Sequence, residues 1–141
     1  MKLFSIFDLI PLEDVPRDYS LRFITQVWRN FKSFSLLDTV RNVPPYVYTF
    51  GGCHYLDDGN HRSMWNLFNG IDTIHAEEEF PDSKRQRCTL MTVESAQERG
   101  VYCVADLVKK VNNPEQYSLE GPITHVITPE DLTNPKYYLR I

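Results

Sequence analysis

A strand that stops at an Asp-Gly turn and passes straight into an amphipathic helix constrains this chain more than any other stretch. It is Tyr55-Leu56-Asp57-Asp58-Gly59-Asn60-His61-Arg62, followed by Ser63-Met64-Trp65-Asn66-Leu67-Phe68-Asn69-Gly70. Tyr55 and Leu56 favour a strand. Asp58 is an N-cap residue by type, and Gly59 tolerates a backbone angle or a close approach that a side chain forbids. Met64, Leu67 and Phe68 fall at i, i+3 and i+4, which gives the helix one apolar face. Asn69-Gly70 is a stop signal. The free N–H groups and positive dipole end of such a helix suit an anion. Arg62 offers a planar fork for phosphate oxygens, and His61 a ring that ordinarily titrates near neutrality. The same residues also admit a plainer role, in which Asp58 caps the helix and competes with any anion.

The 141 residues suit one domain with a single core, and 42% hydrophobic and 13% aromatic content marks a globular chain. The net charge of −4 argues against a protein that coats nucleic acid. Cys53, Cys88 and Cys103 are an odd number without a C-x-x-C pair, which predicts free thiols in a reducing compartment and a cytoplasmic protein. No apolar run is long enough to span a bilayer, so no membrane partner is expected. His54, His61, His75 and His125 lack zinc-ligand spacing among themselves and with the cysteines, and no metal site is expected from them. There is no Walker A or G-x-S-x-G sequence.

Taken in order, residues 3 to 12 read as a first strand ending near Pro11, followed by the carboxylates Glu13 and Asp14. Asp18 or Ser20 is placed to cap a helix to about Phe34, with Phe23, Ile24, Val27, Trp28 and Phe31 facing a core and Arg17, Arg22 and Arg29 in solvent. A short helical piece, Leu36 to Val40, leads through Arg41-Asn42-Val43 to the Pro44-Pro45 stop. Tyr46 to Phe50, the Gly51-Gly52 turn and Cys53 to Asp57 read as a hairpin. Ile71 to Phe80 reads as the next strand. Its Glu77-Glu78-Glu79 run is either a solvated edge or, through Glu77 and Glu79 on one face, a cation site. Pro81 to Arg87 reads as a basic loop, Cys88 to Thr92 as a short strand, and Thr92 to about Arg99 as a helix. Val101 to Val111 has helical spacing. Ile123 to Thr128 alternates like a strand, and Thr128 to Leu132 reads as a capped turn. The apolar tail, Tyr137 to Ile141, is a candidate contact for a protein partner.

Asp57-Asp58-Gly59-Asn60-His61-Arg62, with Leu9-Ile10-Pro11-Leu12-Glu13-Asp14-Val15 and Pro44-Pro45-Tyr46-Val47-Tyr48 upstream, resembles the ParB/sulfiredoxin superfamily. The likeness covers residues 8 to 80, with 81 to 141 as a helical and strand extension of the same domain. It implies a small α+β fold with a mixed sheet and packed helices. It also implies a nucleotide, ATP, ADP or CTP, whose phosphates bind at Asp58, Gly59, Asn60, His61 and Arg62, with Mg2+ as an accompanying cation. His61 would hydrogen-bond or pass a proton, Asp57 or Asp58 would hold the cation or position an acceptor, and Glu13 would be the base. The superfamily contains CTP-hydrolysing partition proteins, ATP-using sulfiredoxins, free serine kinases and proposed nucleases. The resemblance therefore leaves open a phosphotransferase, a nucleotide hydrolase, a non-catalytic binding module and a DNA-binding or nuclease protein. Residues 88 to 141 are too short for the two further domains of the partition proteins. Phe50-Gly51-Gly52-Cys53-His54 also resembles the reactive-cysteine motif of sulfiredoxins. It lies one strand too early, however, with no arginine after it to stabilise a thiolate.

Overall fold

The structure is a computed structural model and describes residues 1–41 and 44–133. Asn42, Val43 and the Tyr137–Ile141 tail lie outside the described residues. The fold is α+β, a five-stranded mixed sheet with helices packed on it. Its strands are β1 (Lys2–Ser5), β2 (Leu9–Pro11), β3 (Tyr46–Phe50), β4 (Cys53–Asp58) and β5 (Thr73–Glu79). The helices are α1 (Asp18–Phe31), α2 (Ser35–Arg41), α3 (Asn60–Phe68), α4 (Ser83–Glu98) and α5 (Val104–Val108).

The sheet order is β1-β5-β3-β4-β2, with β1/β5 and β3/β4 antiparallel and β5/β3 and β4/β2 parallel. The expected first strand is therefore two strands, at opposite edges of the sheet. A 3-10 turn, Ile6–Asp8, separates them, and the Ile6 N–H donates to the Asp72 carbonyl at 2.8 Å. Four residue steps reach at most about 15 Å, whereas the edges of a flat five-stranded sheet lie about 19 Å apart. The sheet must curl to bring its edges within reach.

Strand alternation divides the side chains between two faces. Phe4, Leu9, Val47, Leu56, Ile74 and Ala76 point into the main core with Ile24 and Val27 of α1 and Met64 and Trp65 of α3. Tyr48 and Tyr55 point the other way and meet Val93 of α4 in a second cluster. The core stripe expected on α1 is present, although the helix begins at Asp18 after an Arg17 cap and stops at Phe31, where Lys32 turns left-handed. Val101, Val104, Leu107, Tyr117, Ile127 and Leu132 belong to the same core as Leu56 and Trp65.

Four expectations are overturned, three of them in the second half of the chain and one on α1. Residues 81 to 99 hold neither a basic loop nor a Cys88–Thr92 strand, but one helix, α4, capped by Asp82, which accepts from the Arg85 N–H at 2.9 Å. The polar residues that suggested a loop are the solvated faces of that helix. Ile123 to Thr128 is not a strand. Its backbone is held by α1 side chains, with Gln26 Oε1 accepting from the Thr124 and His125 N–H groups and Asn30 Oδ1 from that of Ile127. Arg29 is not in solvent: it is 7% exposed, and its guanidinium donates to the carbonyls of Gln116, Ser118 and Pro122.

Candidate functional site

The Gly51-Gly52 turn reverses the chain between β3 and β4, and β4 delivers the Asp-Gly turn to the start of α3. Successive β4 side chains alternate, so Asp57 and Asp58 part company. Asp57 lies on the α4 face, where the Tyr48 hydroxyl hydrogen-bonds to it and the Arg85 cation faces it. Burial nonetheless holds its carboxyl above the usual range. A cavity of about 370 Å³ opens beside this group, lined by Tyr48, Glu79, Lys84, Arg85 and Cys88 among others. Asp57 is thus separated from Glu13 and His61 by the thickness of the sheet, and the three do not form one constellation.

Asp58 does not cap α3 as expected. Its Oδ1 accepts from the Gly59 N–H at 2.8 Å, and the N-cap is Gly59 itself, at φ +100°. Glycine is required there on two counts: the left-handed backbone, and a Cβ that would lie 2.7 Å from the Cβ of Pro45. The close approach that Gly59 permits is therefore made by Pro45.

The next four residues turn inward. Asn60 is 4% exposed, and its Nδ2 donates to the Leu56 carbonyl at 3.1 Å. His61 is 1% exposed and its Nε2 accepts from the Arg17 backbone N–H at 2.9 Å, which places the ring proton on Nδ1. Burial pushes the His61 pKa down to about 4, and the Arg17 cation adds to the shift. The expectation of a ring titrating near neutrality is corrected accordingly: at pH 7 this imidazole is neutral and holds the β2–α1 connection against α3.

Arg62 is not a free fork. Its Nη1 donates to Asp38 Oδ1 of α2 at 2.7 Å, its Nη2 lies 3.5 Å from Asp38 Oδ2, and the guanidinium sits 4.0 Å from the Phe34 ring centroid. The Ser63 N–H closes the first helical bond on the Gly59 carbonyl at 2.8 Å. Three buried polar atoms in this one turn have no hydrogen-bond partner: Asn60 Oδ1, Arg62 Nε and Ser63 Oγ.

Glu13 does come to the turn. Arg17 Nη2 donates to its Oε1 at 2.6 Å. Burial raises its carboxyl above the usual range, the Arg17 cation opposes that, and the negative charges of Asp14 and Asp58 add to the rise. Asp14 points away and pairs with Arg99. The structure thus gathers Glu13, Asp58, Gly59, Asn60, His61 and Arg62 and leaves Asp57 outside. Arg17, Phe34, Asp38, Pro45 and Ser63 join them without having been singled out. The Glu13/Arg17 spacing of i, i+4 and the Pro44-Pro45 pair carried a signal for two of these. Nothing local marks Asp38, because its pairing with Arg62 is tertiary.

Glu77 and Glu79 share the outer face of β5, while Glu78 turns inward to accept from Thr49 Oγ1 at 2.7 Å. Among the described residues, no group of three or more His, Cys, Asp or Glu side chains is arranged to hold a metal ion. Of the two carboxylates expected to hold Mg2+ in the alternative, Asp57 lies on the α4 face and Asp58 at the α3 turn beside Glu13. Cys53 is a half-buried free thiol beside Tyr48 and Tyr55. No family model, no curated protein and no solved structure matches the chain.

Proposed function

We propose that the first turn of α3 is an anion site and that its ligand is the phosphate group of a nucleotide, as the resemblance to ParB/sulfiredoxin-like domains implies. The observation that carries this reading is the set of partnerless buried polar atoms, Asn60 Oδ1, Arg62 Nε and Ser63 Oγ. Folded chains leave few such groups, and a cluster in one turn calls for a partner that is not protein. A phosphate at a helix start accepts from free backbone N–H groups, and the Ser63 hydroxyl and Arg62 Nε are two further donors. Asp38 occupies only the Nη side of the guanidinium, so Nε remains to donate without breaking that pair. Asn60 Oδ1, an acceptor, suits a hydroxyl or a water carried in with the ligand.

In the catalytic form of this reading, Glu13 supplies the chemistry. A carboxylate whose pKa is raised by burial is a better base, and it stands beside the turn where an acceptor hydroxyl or a water would be held. In that case the activity is phosphoryl transfer or nucleotide hydrolysis. His61, neutral and with its Nε2 occupied by the Arg17 N–H, acts by positioning. A second reading, a non-catalytic nucleotide-binding module, draws on the contacts that tie His61 to Arg17 and Arg62 to Asp38. Calorimetric titration with ATP, ADP and CTP, with and without Mg2+, tests the site. Saturable binding is expected in the wild type and is expected to be lost in Arg62→Ala. No binding under any condition would refute the proposal. Phosphorus NMR of the bound nucleotide then separates the two readings, because only the catalytic one converts it, and only while Glu13 is present.

A further inference from the structure

Helix α4 meets the sheet along one narrow stripe. Thr89, Val93 and Ala96 are buried, and most of the helix is exposed. Met91 lies roughly 160° around the helix from Val93 at 100° per residue and is 72% exposed. Lys84, Arg87, Met91, Glu94 and Glu98 follow one another at steps of three and four, so they share this outward face. Its two ends have opposite charge, and the order is the reverse of what the helix dipole favours. Basic side chains crowd the positive N-terminus, acidic ones the negative C-terminus. Among the described residues, none of Lys84, Arg87, Glu94 and Glu98 is in an ion pair.

We infer that this face pairs with its own copy, α4 against α4 in antiparallel orientation, with Met91 on the two-fold axis. That single operation puts Lys84 opposite the partner's Glu98 and Arg87 beside the partner's Glu94. It also opposes the two dipoles and covers Met91 with the partner's Met91. Each charge that is badly placed on an isolated helix is compensated in the pair. A partner of one charge sign would satisfy only half of the face, whereas a second copy satisfies all of it. A two-fold axis requires such self-complementarity. With one helix face from each copy and one apolar side chain at its centre, the dimer belongs at the small, weak end of interfaces and depends on concentration and salt.

Sedimentation equilibrium from micromolar to millimolar concentration at low salt tests this, with circular dichroism confirming that each variant is folded. The wild type is expected to dimerise reversibly and to dissociate as salt is raised. Lys84→Glu/Arg87→Glu makes the face acidic throughout, and Glu94→Lys/Glu98→Lys makes it basic throughout. Each double variant alone is expected to be monomeric, and a one-to-one mixture of the two is expected to form a heterodimer. Met91→Glu is expected to be monomeric. A wild type that stays monomeric at millimolar concentration overturns the inference. So does self-association that persists in the double variants, or a mixture of them that fails to associate. The inference stands apart from the nucleotide site, on the other side of the sheet.

Discussion

At the scale of single residues, His61 decides how the candidate turn behaves with pH. Its folded pKa is about 4, against an ordinary value near 6.5, because charging it means burying a cation beside Arg17. Between those values the unfolded chain binds a proton that the folded chain refuses, so folding stability falls as pH drops from 6.5 toward 4. The loss amounts to at most about 3 kcal/mol. His61→Gln keeps an acceptor for the Arg17 N–H and removes the titration. Denaturant unfolding at pH 7, 6, 5 and 4 is expected to show a flatter stability profile for the variant across that window. Parallel profiles for the two proteins would show that His61 is not the group refusing the proton. Asp14, Glu78 and Asp106, whose pKa values are lowered, contribute their own acid loss in both proteins, which is why the comparison is of differences.

At the scale of elements, Arg29 does what a strand ladder would otherwise do for the C-terminal segment. Its guanidinium gathers the carbonyls of Gln116, Ser118 and Pro122, and a Cβ at Gly121 would lie 2.5 Å from Arg29 Nη2 and push the guanidinium aside. Arg29→Met keeps an apolar stem on α1 but leaves those carbonyls without their donor. It is expected to cost about 1–3 kcal/mol by denaturant unfolding. Amide exchange is expected to quicken first at Thr124 and Ile127, whose N–H groups bond to Gln26 and Asn30 of the same helix face. Unchanged exchange there would mean that Gln26 and Asn30 suffice. The α1 core stripe, the Gly51-Gly52 hairpin, the α3 boundaries and β5 were legible, because each is written in a local period or a stop signal. The 123–128 segment alternated like a strand and became irregular, because its hydrogen-bond partners are side chains about a hundred residues away. α4 hid its helical period, because only a thin stripe of it is apolar. At the candidate turn, the placing of Glu13 near the Asp-Gly residues was implied only by the resemblance, and no local spacing marks it. The separation of Asp57 follows from β4 alternation and was available in the sequence. The capture of Arg62 by Asp38 was not, for no spacing links α2 to α3.

At the scale of the whole molecule, the curled sheet divides two kinds of surface. One face carries the main core and the α3 turn, with Glu13 and Arg17 arriving from the β2–α1 connection. The other carries the tyrosine cluster, Asp57 and α4 with its divided charge. Among the described residues, no helix is long and apolar enough to cross a membrane. The net charge of −4 leaves little general attraction for a polyanion, so an anion must be held by a local arrangement of donors. The first turn of α3 is where we propose that arrangement, and the basic start of α4 is its natural competitor. The most direct measurement is a proton–nitrogen NMR titration of the whole chain with ATP and, separately, with inorganic phosphate, following the amides of α3 and the Arg62 Nε–H. Saturable shifts are expected, largest at Asn60, His61, Arg62 and Ser63, with the Arg62 Nε–H moving in step. Shifts confined to Lys84, Arg85 and Arg87, or none at millimolar nucleotide, would contradict the proposed site.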